Sequence, residues 1–225
     1  MDHRPYPVVL VNKRTVRCGR RGSAELKESS PQSSAFFPSP PSAFQMSSSS
    51  NETTIMNAEE LRAVQAPIKE KYKSDPESAV RTMAVTGIIQ PNQTCRLQTA
   101  AGPVDAGLHP AAGGSGEEAC SGDMLLEALV ACAGVTFSAV ATAMEIPIDQ
   151  ASVTAEGNLD FRGTLGVARD VPIGFSDIRL KFDVKSAAPQ EKIDKLIQLT
   201  ERYCVIYQTL RQPMDISTRL NLHAE

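Results

Sequence analysis

Residues 128–144 contain no charged side chain, and Glu127 and Glu145 bracket them. A helix formed by this run is apolar around its whole circumference, so it has to be covered on every side. The run falls short of the roughly 20 residues that span a bilayer, and it is full of Ala, Thr, Ser and Gly. The expectation is therefore a soluble protein without a membrane partner, with this helix at its centre. A chain of 225 residues has limited means to cover such a helix alone. A homodimer that sandwiches it between two sheets is expected.

Residues 29–50 are built mostly from Ser and Pro and cannot pack a core. Residues 1–55 carry seven basic residues against four acidic ones, so the net charge of −3 hides a basic leader and a more acidic body. The leader reads as a disordered extension. Its apolar run at residues 8–11 is too short for a secretory signal, and an organelle transit peptide would need an amphipathic helix. Met56 opens a stretch of good helix formers, and a translation start there is an expectation. The weakly negative balance of 23 basic to 26 acidic residues removes the electrostatic footprint of a general nucleic-acid binder.

The remainder, residues 56–225, reads as one domain. Leu61, Val64, Ile68 and Tyr72 are spaced for a helix over residues 58–72 despite Pro67. Residues 81–89 and 94–99 alternate around the Pro91-Asn92 turn signal, which predicts a hairpin, and residues 104–109 extend the sheet. Asp123 then precedes the long apolar helix, which Pro147 closes. Residues 152–161 and 175–184 show period two and read as antiparallel strands. Pro189 opens a helix, residues 204–210 form a second helical piece, and residues 214–222 a final strand. Runs of strands broken by helices, without enough crossovers for a parallel sheet, indicate α+β architecture.

Polar chemistry has few carriers. Only His109 lies inside the body of the fold, since His3 and His223 are terminal, which leaves a Ser-His-Asp or Cys-His system one base. The five cysteines form no Cys-x-x-Cys pair and no His-x-x-x-His exists, so no metal site is expected. Gly113-Gly114-Ser115-Gly116 precedes a helix but lacks the lysine and the glycine spacing of phosphate loops. It reads as a plain loop. An odd cysteine total without a secretion signal points to reduced thiols in the cytoplasm. Cys132 lies in mid-helix, where a free cysteine is a good small hydrophobe. Cys204 follows a helix beside Glu201, Arg202 and Tyr203, where a nearby cation can lower a thiol pKa.

The run Gly113 to Gly116, then Asp123, then Leu125-Leu126-Glu127-Ala128-Leu129-Val130-Ala131-Cys132, and later Cys204-Val205-Ile206-Tyr207-Gln208-Thr209-Leu210, resembles the family of osmotically inducible protein C and the organic hydroperoxide resistance proteins. The resemblance covers residues 80–222, behind a helical segment at residues 56–78. It implies antiparallel sheets wrapped around a buried central helix in an intertwined α+β homodimer. It also implies a peroxidatic Cys132 and a resolving Cys204, working on an organic hydroperoxide with a dithiol reductant and no metal, flavin or other cofactor, in oxidative stress defence. The family's peroxidases place a glutamate ten residues before the first cysteine; here that position is Gly122, with Asp123 beside it. They carry a Gly-Gly-Arg turn where this chain has Gly87-Ile88-Ile89-Gln90-Pro91, with Arg96 on the next strand, and a proline where it has Val205.

Three functions stand at this point. One is the thiol peroxidase. Another is a small-molecule or lipid-binding protein with an apolar pocket. The third is a thiol-dependent hydrolase or transferase in which Cys132 is the nucleophile and His109 or Glu127 the base. Cys95 reads as a strand residue, and Cys120 stands as a possible resolving partner to Cys132.

Overall fold

The computed structural model describes residues 56–223; the expectations for residues 1–55 lie outside them. Helix α1 (Ala58–Ser74) is opened by a capping box: Glu60 N–H donates to Asn57 Oδ1 at 3.0 Å and Asn57 N–H to Glu60 Oε2 at 2.9 Å. It runs through Pro67. Strands β1 (Gly87–Gln90), β2 (Thr94–Thr99) and β3 (Gly102–Gly107) form an antiparallel meander, and the two-residue strand β4 (Ala119–Cys120) joins β3 in parallel. Helix α2 (Ser121–Ala143) follows, then β5 (Gln150–Leu159), the short helix α3 (Phe161–Thr164), β6 (Phe175–Lys185), α4 (Gln190–Tyr203) and α5 (Val205–Arg211). β5 and β6 form a separate antiparallel ribbon. The architecture is α+β.

Helix α2 organises the packing. Its buried residues Leu129, Ala133, Phe137 and Ala141 recur every four positions and make one stripe. Around the second half of that stripe, Phe137, Ala141, Ile146 and Leu196 form a core with Val184, Ile193 and Ile197, and Phe137 stacks on Phe182 at 5.5 Å. Around the first half, Leu129, Ala133 and Cys204 pack with Val153, Ala155, Ile178 and Leu180. The ribbon thus turns its apolar alternation toward α2, while Glu156, Asp177, Arg179 and Lys181 point outward and pair with one another or with neighbouring charges. At its C-terminus α2 is closed by Glu145 in left-handed conformation (φ 54°), and Ile146 N–H reaches back to the Ala141 carbonyl at 3.0 Å. Arg62 of α1 holds the Glu145 carboxylate at 2.9 Å.

Cover on every side is not achieved among the described residues. The face of α2 opposite the stripe, with Ala128, Ala131, Val135 and Ala139, is open, and Val135 is 73% exposed. At 23 residues α2 also proves longer than the charge-free run that defined it in the sequence, and long enough to cross a membrane. Its place here is at the centre of a fold, between α4, α5 and β5.

Several expected boundaries move. Residues 81–86 are not strand, so β1 is half its expected length; a Cβ on Gly87 would stand 2.6 Å from the Cys95 Sγ, so the hairpin approaches closely where it begins. The hairpin turn uses Asn92 and Gln93, both at positive φ. Asp123 is not the cap of α2 but lies in its first turn, because β4 delivers the chain to the helix three residues earlier, with Cys120 as the cap. β5 stops at Leu159, and Phe161 instead opens α3, where Asp160 accepts from the Arg162 N–H at 2.9 Å. Residues 214–222 keep their alternation but form no strand, since among the described residues no strand lies beside them, and Ile216, Leu220 and Leu222 are exposed.

Leu196 has no exposed surface. Leu196→Ala is expected to lower the unfolding free energy by about 3 kcal/mol in a urea titration, because lost transfer energy and a residual cavity add at a site of this kind.

Candidate active site

A cysteine three positions after a buried stripe residue sits on the same helical flank, and Cys132 lies between Leu129 and Ala133 on α2, partly buried. Cys204 stands where α4 stops and α5 starts. It is the last cap of the one and the first of the other, with φ −70° and ψ 110°, and it is 1% exposed. Both thiols are reduced, and they meet in the same apolar cluster.

The break between the helices has a definite hydrogen-bond account. In an uninterrupted helix every N–H from residue 205 to 207 would be taken by the carbonyl four residues earlier. Here the ladder is kept on either side, by Cys204 N–H to the Thr200 carbonyl at 2.9 Å and Gln208 N–H to the Cys204 carbonyl at 3.0 Å. The three N–H groups between are released. Tyr207 N–H donates to Cys204 Sγ at 3.5 Å, and those of Val205 and Ile206 face the Cys132 sulfur and lower its pKa.

This arrangement divides the two thiols. Burial pushes the Cys132 thiol up, but the Ile206 N–H, the Cys204 thiol, the Val205 N–H and the Thr136 hydroxyl together outweigh it, and the net direction is down. Burial also pushes Cys204 up; the Tyr207 N–H opposes this, while the Cys132 sulfur adds to it, so Cys204 ends raised. The site can therefore hold a thiolate on Cys132 and a proton on Cys204. Those backbone donors and Thr136, one turn beyond Cys132, were not singled out in the sequence. The hydroxyl could have been, from its i+4 spacing; a backbone N–H has no letter of its own.

The remaining candidates lie elsewhere. Asp123 and Glu127 are both exposed on α2, nine and five residues before Cys132, which at 3.6 residues per turn places them about 180° and about 140° around the helix from it. The chain does not bring them to the thiols. His109 stacks on Phe161 at 4.9 Å, and its Nδ1 accepts from the Ala111 N–H at 3.0 Å. It is not part of the cysteine cluster. Cys120 caps the start of α2, about 18 Å along the axis from Cys132 at 1.5 Å per residue, well beyond the roughly 7 Å that a disulfide can bridge. Cys95 sits on β2 behind Gly87, and Arg96 makes a bidentate pair with Asp105 at 2.8 and 2.6 Å. In the loop before α2, a Cβ on Gly114 would fall 1.6 Å from the Leu108 carbonyl oxygen, so close backbone packing accounts for that glycine. Among the described residues no three His, Cys, Asp or Glu side chains are grouped to hold a metal ion.

The opposed directions give a test in pH. With the Cys132 pKa below the ordinary thiol value, its alkylation by iodoacetamide should persist as pH falls below that value and fade only lower. Cys204, raised and buried, should stay unmodified through the same range, as peptide mass mapping would read.

The family of OsmC-like proteins matches residues 114–219. Among solved structures, an OsmC-like protein from Mycoplasma pneumoniae superposes with a TM-score of 0.50 at 18% identity, over 58% of this chain and 88% of that one. An organic hydroperoxide resistance protein OsmC from Legionella pneumophila gives 0.47 at 17% identity, over 59% and 90%. The organic hydroperoxide resistance protein OhrB of Bacillus subtilis gives 0.40 at 20%, over 58% and 91%. No curated protein matches the chain. The matched stretch holds β4, the cysteine of α2, the ribbon and the α4–α5 break with its second cysteine, and over it the chain is similar to the OsmC-like proteins.

Proposed function

We propose that this protein is a thiol-dependent peroxidase that reduces organic hydroperoxides in oxidative stress defence in the cytoplasm, with Cys132 as attacking thiolate and Cys204 as resolving thiol. The observation that carries the reading is the placement of two reduced sulfurs in one cluster with their acidities driven apart, Cys132 down chiefly by the amides of the helix break and Cys204 up by burial and the neighbouring sulfur. The Cys132 thiolate attacks the distal oxygen of ROOH, the O–O bond breaks, and the alkoxide leaves as ROH after taking a proton. Cys132 is left as sulfenic acid. The Cys204 sulfur then attacks it, water leaves, and a disulfide forms. An external dithiol exchanges with that disulfide and restores both thiols.

The surroundings suit such a substrate. Val153, Ala155, Ile178, Leu180 and Phe182 line the cysteine cluster with hydrocarbon. Val153 and Phe182 also border a groove of about 850 Å³ along α2 and β5, where an alkyl chain can lie. On the outer side of the break a cleft of about 480 Å³ reaches Cys204 between Arg202, Tyr203 and Gln208, a place for the reducing dithiol. The same groove supports a second reading, a binding protein for apolar small molecules.

The homodimer belongs to this proposal. The open face of α2 and the unpaired alternating residues 214–222 are surfaces that a second copy can cover. Asp123 and Glu127 project from the side of α2 away from Cys132, so they join the site only if that second copy turns them toward a thiol.

With a dithiol as reductant, Cys132→Ser should abolish consumption of an alkyl hydroperoxide. Cys204→Ser should still give one turnover and then accumulate sulfinic acid on Cys132, detected by intact mass. Consumption that survives Cys132→Ser defeats the peroxidase reading, and apolar ligand binding without consumption by the intact protein selects the second. Sedimentation equilibrium should give twice the chain mass, and a stable monomer would remove the dimer.

A further inference from the structure

The released amides at the helix break leave acceptors behind as well as donors. In a continuous helix the Glu201 carbonyl would hold the Val205 N–H. That carbonyl is not left empty: the side chain of Gln208 folds back across the break, and its Nε2 donates to the Glu201 oxygen at 2.8 Å, partly buried. Gln208 is also the residue whose own N–H resumes the ladder at the Cys204 carbonyl. One residue therefore closes both ends of the interruption, with its backbone on Cys204 and its side chain on Glu201.

A break of this kind needs a reason to persist, because joining α4 and α5 into one helix would satisfy the same backbone groups. A proline at position 205 would enforce the interruption by removing an N–H, but the residue there is valine. Among the described residues the side-chain donor on the Glu201 carbonyl is Gln208. We propose that Gln208 is the positioning residue of the site: by occupying the Glu201 carbonyl it keeps the Val205 N–H out of the helix ladder and, with that of Ile206, on the Cys132 sulfur. Gln208 touches neither sulfur and acts through the backbone. The inference deepens the peroxidase reading, since it rests on Cys132 as the reactive thiol.

The groups that face Cys132 leave little else to do this work. The hydrophobic residues that the ribbon packs on this cluster are Val153, Ala155, Ile178, Leu180 and Phe182, and α2 itself supplies the Thr136 hydroxyl. From the α4–α5 side come the Cys204 thiol and Tyr207, whose hydroxyl is held in its neutral form first by burial and then by the Glu201 carboxylate. No cation stands among them.

Gln208→Met keeps the length of the side chain and removes the donor; Gln208→Lys keeps a donor. In the full chain, Cys132 alkylation is followed against pH by peptide mass mapping. For Gln208→Met the rate below the thiol's titration should fall by about threefold to tenfold, while the plateau at high pH, where every thiol is ionised, stays within about twofold of wild type. Gln208→Lys should restore the low-pH rate. A Gln208→Met profile that overlays wild type, or a Gln208→Lys profile slowed as much as Gln208→Met, overturns the proposal. A plateau that falls in step with the low-pH rate also overturns it, since that marks altered access. Should wild type consume no hydroperoxide at all, the peroxidase reading fails while this measurement still stands.

Discussion

A 23-residue helix without a polar face dictates most of this fold. Its hydrophobic stripe has to be buried, and the β5–β6 ribbon and α4 do so by turning their apolar sides inward. The ribbon can be this simple because its charged residues all face outward, where they pair with one another. The cost of a helix apolar all round is that the described residues cover only one side of it. Val135 and its neighbours are left facing out.

Within that packing the thiol pair resolves a conflict between two effects. Burial suits cysteine as a hydrophobe and opposes it as a thiolate. The fold answers with backbone. An interrupted helix supplies donors that carry no net charge and need no solvated side chain, so a partly buried sulfur is stabilised as an anion inside a hydrocarbon cluster. The partner sulfur, more deeply placed and beside that anion, is pushed the other way. Contrast between neighbours, more than the acidity of either, makes the arrangement suited to two-thiol chemistry.

The parts of this structure that were legible in the sequence are those whose period reaches over many residues. The ribbon, α1 and α4 lie within a few residues of where alternation and i+3, i+4 spacing put them. β4 was not legible, because two residues have no period. Residues 214–222 misled for the opposite reason: the alternation is there, but a strand is a relation between segments and the described residues contain no neighbour for this one. The two cysteines were legible through the motif around them. Asp123 and Glu127 attracted attention by closeness in sequence, although helical phase turns them away from Cys132. The amides of Val205 and Ile206 could not be read at all, since they depend on where a helix stops.

The close approach at the mouth of the first hairpin has its own implication. Gly87 leaves no room for a Cβ because the Cys95 sulfur already fills the space, so the two positions share one volume. Bulk can be exchanged between them but not added to both. Cys95 is thereby constrained by size, independently of any redox use, and an alanine there would remove the nearest obstacle to a side chain at position 87. In the evolution of such a hairpin these two sites would drift together, as a compensating pair.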